Sequence, residues 1–187
     1  RPQIAPLAQR YRVLVPDLPG HGKSPLTSER LTISHMADSI LEMMDAEGVQ
    51  SANLCGSSMG GAVALWLTLK HPERVKRLVL YRISYRSNLD IHKQIYAMGD
   101  PAYWENFGLA AWLSKLHSPQ GGADAWKHVI ARVGDALHAD SSEHKHRLED
   151  LARIRCPVLI ITGDRDPVAP LADALDMYRT IPDAGLW

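Results

Sequence analysis

Leu54-Cys55-Gly56-Ser57-Ser58-Met59-Gly60-Gly61 joins two stretches of opposite character. Before it, Ala52 to Cys55 reads as a short strand. After it, Met59 to Leu69 is nearly all apolar or small, which suits a fully buried helix. The junction fits the pattern G-x-S-x-G, and that pattern carries chemistry when it sits on a sharp turn between a strand and a helix. Such a turn lifts the Ser58 hydroxyl above the sheet, while Gly56 and Gly60 let neighbouring backbone pass close. The Met59 N–H opens the helix, where it can face an oxygen that becomes negative in a tetrahedral intermediate. The plainer alternative is a small-residue turn that only packs a helix on a strand. The strand-turn-helix setting and the glycine pair favour the nucleophile. Ser57 is the rival serine, but it occupies the wrong position of the motif.

Outward from this turn, apolar runs and helical spacings alternate. Leu7 to Arg12 reads as the end of a helix and Tyr11 to Pro16 as a short buried strand, followed by the loop Asp17-Leu-Pro-Gly-His-Gly-Lys-Ser-Pro25. Ile33, Met36, Ala37, Ile40, Leu41 and Met44 fall at helical spacing, with Thr32 as N-cap and Gly48 as stop. Val75 to Tyr81 and Pro157 to Thr162 read as further strands, and Pro170 opens a last helix toward Thr180. These strands are continuous apolar runs, so the expected class is α/β: a doubly wound, mostly parallel sheet with helices on both faces.

Residues 82 to about 150 break the rhythm. They carry Trp104, Trp112 and Trp126 and six of the nine histidines, with helical patterning and a Gly121-Gly122 break. The expectation is a helical cap inserted into a single domain spanning 1–187. The tryptophans read as cap core rather than as a ligand cage. His144 and His146, two residues apart, read as solvated rather than as a metal pair.

The run Val158-Leu-Ile-Ile-Thr-Gly163-Asp164-Arg165-Asp166-Pro167 is a strand ending in two carboxylates. Asp166 precedes a proline, which biases its backbone to extended geometry and frees its side chain to orient an imidazole. Asp164 is the alternative acid, or a loop residue that satisfies backbone N–H groups.

Bulk properties exclude several classes. Lys+Arg and Asp+Glu are equal at 21 each, so net charge favours neither nucleic acid nor an anionic membrane. No apolar run approaches the ~18 residues of a membrane helix. Cys55 and Cys156 form neither a metal-ligand spacing nor a disulfide framework, which makes a reduced, cytoplasmic setting the default. No cofactor or metal motif appears.

Taken together, Asp17-Leu-Pro-Gly-His-Gly-Lys-Ser24, Gly-Ser-Ser58-Met-Gly-Gly, His71-Pro-Glu-Arg-Val75 and Cys156-Pro-Val-Leu-Ile-Ile-Thr-Gly-Asp-Arg-Asp166 resemble the α/β-hydrolase fold family, in particular its cap-bearing, esterase-like members. The resemblance spans roughly residues 5 to 183 apart from the cap. It implies Ser58 as nucleophile, Asp166 as acid, the Met59 N–H as one oxyanion donor, His21 as structural, and a small-molecule acyl substrate without a cofactor. Serine at 58 argues against a haloalkane dehalogenase, which needs a carboxylate nucleophile. The same fold also supports cofactor-free haloperoxidase- or lyase-like chemistry and non-catalytic receptors. The family's strand order sets the two cysteines two strands apart, about 10 Å at ~4.8 Å per step, so both are expected as buried thiols. The family's chain order is Ser, acid, His, yet no histidine follows Asp166. The second oxyanion loop and a central strand would precede Arg1. The chain thus reads as cut at both ends, another strand starting at Gly185, and is expected to lack turnover by itself.

Overall fold

The computed structural model describes residues 2–26, 31–87, 89–139 and 143–187, with only the backbone of Leu89, Ala136, His138 and Ala139. Four strands form one parallel sheet in the order β1 (Ala52–Ser57), β2 (Val75–Tyr81), β3 (Val158–Ile161), β4 (Ala184–Leu186). Helix α1 is Ile4–Ala8, α2 is Ile33–Ala46 and α3 is Met59–Lys70. Between β2 and β3 come α4 (Leu89–Met98), α5 (Pro101–Asn106), α6 (Ala110–His117), α7 (Ala125–Ala139) and α8 (Leu148–Leu151), and α9 (Leu171–Thr180) precedes β4.

Helix α3 is apolar on all sides because it is covered on all sides. Its Ala64 and Leu65 pack on the sheet with Leu78, Leu80, Val158 and Ile160, and on Ala174 and Met177 of α9. Its Ala62, Val63 and Leu67 meet Ile33, Met36 and Ala37 of α2. The α2 start is capped by Thr32, whose hydroxyl accepts from the His35 N–H at 3.0 Å, and Gly48 follows its end with φ of 66°. On β2, Val75 shares the buried face with Leu78 and Leu80 despite an odd spacing. A register shift between Ala52 and Asn53 supplies the extra residue that allows it.

Three expectations are corrected. The helix read as ending at Arg12 ends at Ala8, with one further helical bond from the Tyr11 N–H to the Leu7 carbonyl. Residues 11–16 form no strand, and Tyr11 and Val15 are exposed. Apolar content alone does not make a strand: a ladder needs a neighbour, and among the described residues β1 pairs only with β2. Cys55 is exposed rather than buried, because it points away from the face that α3 covers. Cys156 is half-buried, and burial pushes both thiols up from their ordinary range.

Between β2 and β3, α7 packs against α4 and α6. The α4–α7 region brings backbone close: a Cβ on Gly134 would sit 3.0 Å from the Gly99 Cα. Trp126 lies in the core of this layer with Leu113 and Ile130, Trp104 packs against them, and Trp112 is exposed. Gly121 and Gly122 both have positive φ and separate α6 from α7.

The glycines around Ser58 differ in what surrounds them. A Cβ at Gly56 would meet the Gly60 carbonyl group, 2.6 Å from its carbon, and lie 2.6 Å from the Gly61 Cα; around Gly60 nothing lies within 4 Å. Gly56→Ala should therefore cost about 1–3 kcal/mol or more in urea unfolding, as overpacking does. Gly60→Ala should be neutral or stabilising by up to about 1 kcal/mol, since alanine favours a helix. Equal effects of the two substitutions would contradict this packing.

Candidate active site

Parallel strands place their carboxyl ends on one edge of the sheet, which is where α/β folds build sites. Ser58 directly follows β1, Arg82 directly follows β2, and Asp166 lies in the loop after β3. Three segments remote in sequence are thereby brought together.

The turn at Ser58 is held from both sides. Its backbone has φ 51° and ψ −123°, a region a serine occupies only when its surroundings impose it. The Ser58 N–H donates to the Tyr81 carbonyl at 2.9 Å, tying the turn to β2. Its carbonyl accepts from the Gly61 and Ala62 N–H groups at 2.8 and 3.0 Å, tying it to α3. Gly61 is needed for the same reason as Gly56, because a Cβ there would collide with Ile83. The Met59 N–H, at the first position of α3, has no partner among the described residues. Ser58 and Met59 both line a cavity of about 250 Å³.

Asp166 is 6% exposed at its side chain, and both of its oxygens accept hydrogen bonds. One carboxylate oxygen accepts from Arg82 Nε at 2.6 Å, and the other from the Val168 and Ala169 N–H groups at 2.9 and 3.0 Å. Burial alone would raise its pKa, but the Arg82 hydrogen bond and the two loop N–H groups outweigh burial and hold it below the usual value. The loop-satisfying role considered for Asp164 thus belongs to Asp166. Asp164 points to solvent, 3.9 Å from Arg165. No described histidine is hydrogen-bonded to Ser58 or to Asp166.

Among the described residues, His21, His117 and His144 line the cavity. His21 holds its own loop, its Nδ1 lying 3.0 Å from the Pro19 carbonyl, and its ring meets that of His117 edge-on at 5.6 Å. His117 Nδ1 accepts from the Gly22 N–H at 3.3 Å, and Gln120 donates to the Gly22 and Ser24 carbonyls at 2.8 Å each. The loop at 17–25 is in this way fastened to α6 and the turn after it. Gly22 cannot be replaced easily, since a Cβ would strike the Asp17 carboxylate, which accepts from the Lys23 N–H.

His144 and His146 are not solvated, contrary to the reading of the sequence. Lys145 bridges to Arg86 in antiparallel fashion, so the local chain is strand-like rather than helical. Alternate residues then share a face, and the two rings pack at 5.5 Å and 87°. His144 Nε2 lies 2.7 Å from the Ser84 carbonyl, while His144 Nδ1 and His146 Nε2 are buried with no hydrogen-bond partner among the described residues.

Sequence reading also missed Arg82, Ser84, Arg86 and Asp173. Asp173 is buried, accepting from Ser84 Oγ at 2.5 Å and from Arg86 Nη2 at 2.9 Å. A signal for it was present: Asp173, Met177 and Ile181 fall at i, i+4 and i+8, so an acid sits on the buried stripe of α9 and requires a partner.

This arrangement of sheet, turn and cavity has known counterparts. A profile of the alpha/beta hydrolase fold family matches residues 1–111, and the chain belongs to that family. It shares the family's fold, a parallel sheet flanked by helices, and its relatives are hydrolases. RutD of Caulobacter sp. (strain K31), which bears the name of a carbamate hydrolase, is 29% identical over 208 residues, covering 99% of this chain and 74% of its own. The 3-oxoadipate enol-lactonase 1 of Acinetobacter baylyi is 28% identical over 199 residues, covering 97% and 71%. A hydrolase from Pseudomonas aeruginosa PA01, known from its crystal structure, matches with a TM-score of 0.76 at 26% identity, covering 100% and 74%. Among the described residues no helix is long and apolar enough to cross a membrane.

The histidine pair sets a pH dependence. Burial, then the neighbouring His144, push the His146 pKa from 6.5 down to about 4. The folded protein therefore binds fewer protons here than the unfolded chain, and this contribution to stability is present above pH 6.5 and lost as pH falls from 6.5 through about 4. Melting temperatures at neutral pH and near pH 4 should fall further for the parent than for His146→Gln. Equal losses would contradict the assignment.

Proposed function

We propose that the protein hydrolyses carboxylic esters or related acyl compounds, among them thioesters and lactones, through Ser58. The observation that carries this reading is the Ser58 backbone at φ 51°, held on a strand-to-helix turn and opening on a cavity lined mainly by apolar side chains. The hydroxyl attacks the carbonyl carbon, and its proton passes to an imidazole base. The tetrahedral intermediate places its oxyanion against the unpaired Met59 N–H, then collapses to an acyl-enzyme that water hydrolyses. In the family's order that imidazole follows the acid in the chain, with Asp166 orienting it and stabilising its charged form.

Arg82 has a defined place in this scheme. Its hydrogen bond and charge keep Asp166 ionised, and the two loop N–H groups fix the carboxylate's direction. The residues from α4 to α7 supply the apolar wall that seats the acyl group, consistent with a cap inserted at about 82–150 in a single domain. The wider apolar share of that wall favours acyl hydrolysis over a receptor only when Ser58 turns over, so labelling and turnover are both needed.

In the complete protein a fluorophosphonate should label Ser58 and no other serine, and Ser58→Ala should abolish labelling and cut ester turnover by several orders of magnitude, about the effect of losing a triad nucleophile. Labelling that persists in Ser58→Ala would overturn the reading. Ligand binding without labelling or turnover would favour a receptor.

A further inference from the structure

The cavity beside Ser58 has one unusual wall. Most of its lining is apolar, yet Arg82 and Arg86 both line it, and among the described residues no carboxylate does. Both are about half exposed and each already holds one aspartate, Arg82 with Asp166 and Arg86 with Asp173, and what matters is the donor capacity they have left. Asp166 takes a single N–H of Arg82, from Nε. Arg86 is held from one side: Nε and Nη2 both donate to Asp173 Oδ1, at 3.2 and 2.9 Å, and Nη2 lies 4.0 Å from Asp176. Its Nη1 has no partner among the described residues. Asp173 is itself fixed, its second oxygen accepting from Ser84 Oγ at 2.5 Å. The Arg86 guanidinium is thus locked in direction while about half of the side chain remains exposed.

We propose that this cavity takes acyl substrates bearing a carboxylate, and that Arg86 is the residue that reads it. The proposal rests on the hydrolase reading above for the substrate's ester end, while the carboxylate recognition stands on the Arg86 wall alone. A guanidinium fork matches a carboxylate, and hydrogen bonds between ionised partners are the strong ones. The hollow, about 250 Å³, has room for a short acyl chain. Ser58 and Arg86 line the same hollow, so the ester and carboxylate ends of one small molecule can be engaged together. His144, on the same wall, is kept neutral by burial and adds no competing charge. The plainer role for Arg86 is to clamp α9 to the segment after β2 through Asp173.

Calorimetric titration of Ser58→Ala with monomethyl succinate and with dimethyl succinate separates these roles without turnover. The half-ester should bind about tenfold tighter or more, the effect of one charge-assisted hydrogen bond. Removing Arg86 alone would strand a buried carboxylate. The comparison variant is therefore Arg86→Gln with Asp173→Asn, checked by circular dichroism and expected to bind both ligands equally. Arg86→Lys, which keeps the charge but loses the fork, should show a reduced preference and serves if the double variant does not fold. Equal affinity of the two ligands for Ser58→Ala overturns the proposal. So does a half-ester preference that survives in the folded double variant or is unchanged in Arg86→Lys. Fluorophosphonate labelling of the complete protein reads the hydrolase assignment separately: labelled Ser58 without carboxylate preference sinks this proposal alone, and carboxylate preference without labelling sinks the hydrolase reading alone.

Discussion

The site depends on one constraint: the chain must turn from β1 into α3 at Ser58 with a backbone that side chains rarely adopt. That conformation is not favourable by itself and is paid for by its surroundings. Backbone hydrogen bonds to Tyr81 on one side and from Gly61 and Ala62 on the other hold it. The missing side chains of Gly56 and Gly61 provide the room. The all-apolar α3, packed on both the sheet and α2, anchors the far end of the turn. Loosen any of these and Ser58 can relax to ordinary geometry, and under the proposed mechanism the hydroxyl and the Met59 N–H would no longer face a common target.

The parallel sheet then does the assembling. Because every strand runs the same way, the residue after β1, the residue after β2 and the loop after β3 lie on one edge. Arg82 links two of these positions: its N–H donates to the Ile161 carbonyl at 2.9 Å, and its side chain takes Asp166. Its own φ of 55° is a second strained backbone at the same edge. Two non-glycine residues with positive φ flank one cavity, a concentration of strain that a purely structural edge would not need.

How much was legible in the sequence follows from the range of each interaction. The Ser58 turn, the Thr32 cap and the strand over Val75–Tyr81 are written in consecutive residues, and spacing rules read them. Arg82–Asp166, His117–Gly22 and Ser84–Asp173 join residues 84, 95 and 89 apart, and nothing local marks them. Asp173 is the intermediate case, where an acid on a buried stripe announces a partner without naming it. The errors share a cause as well. Tyr11–Pro16 reads as a strand from its own apolar character and Cys55 as buried from the family's strand order, but strand formation and burial are decided by neighbours that sequence spacing does not supply. His144 and His146 were judged as helical, and a single bridge from Lys145 to Arg86 puts them in strand-like chain instead.

The central claim is that the turn aims the Ser58 oxygen and the Met59 N–H at the same reacting centre. A crystal structure of the protein after reaction with a fluorophosphonate tests it directly. The account predicts a phosphorus atom bonded to Ser58 Oγ, with a phosphoryl oxygen about 2.7–3.1 Å from the Met59 nitrogen. An adduct on Ser57 or elsewhere, or a Ser58 adduct whose phosphoryl oxygen faces away from Met59, would contradict it.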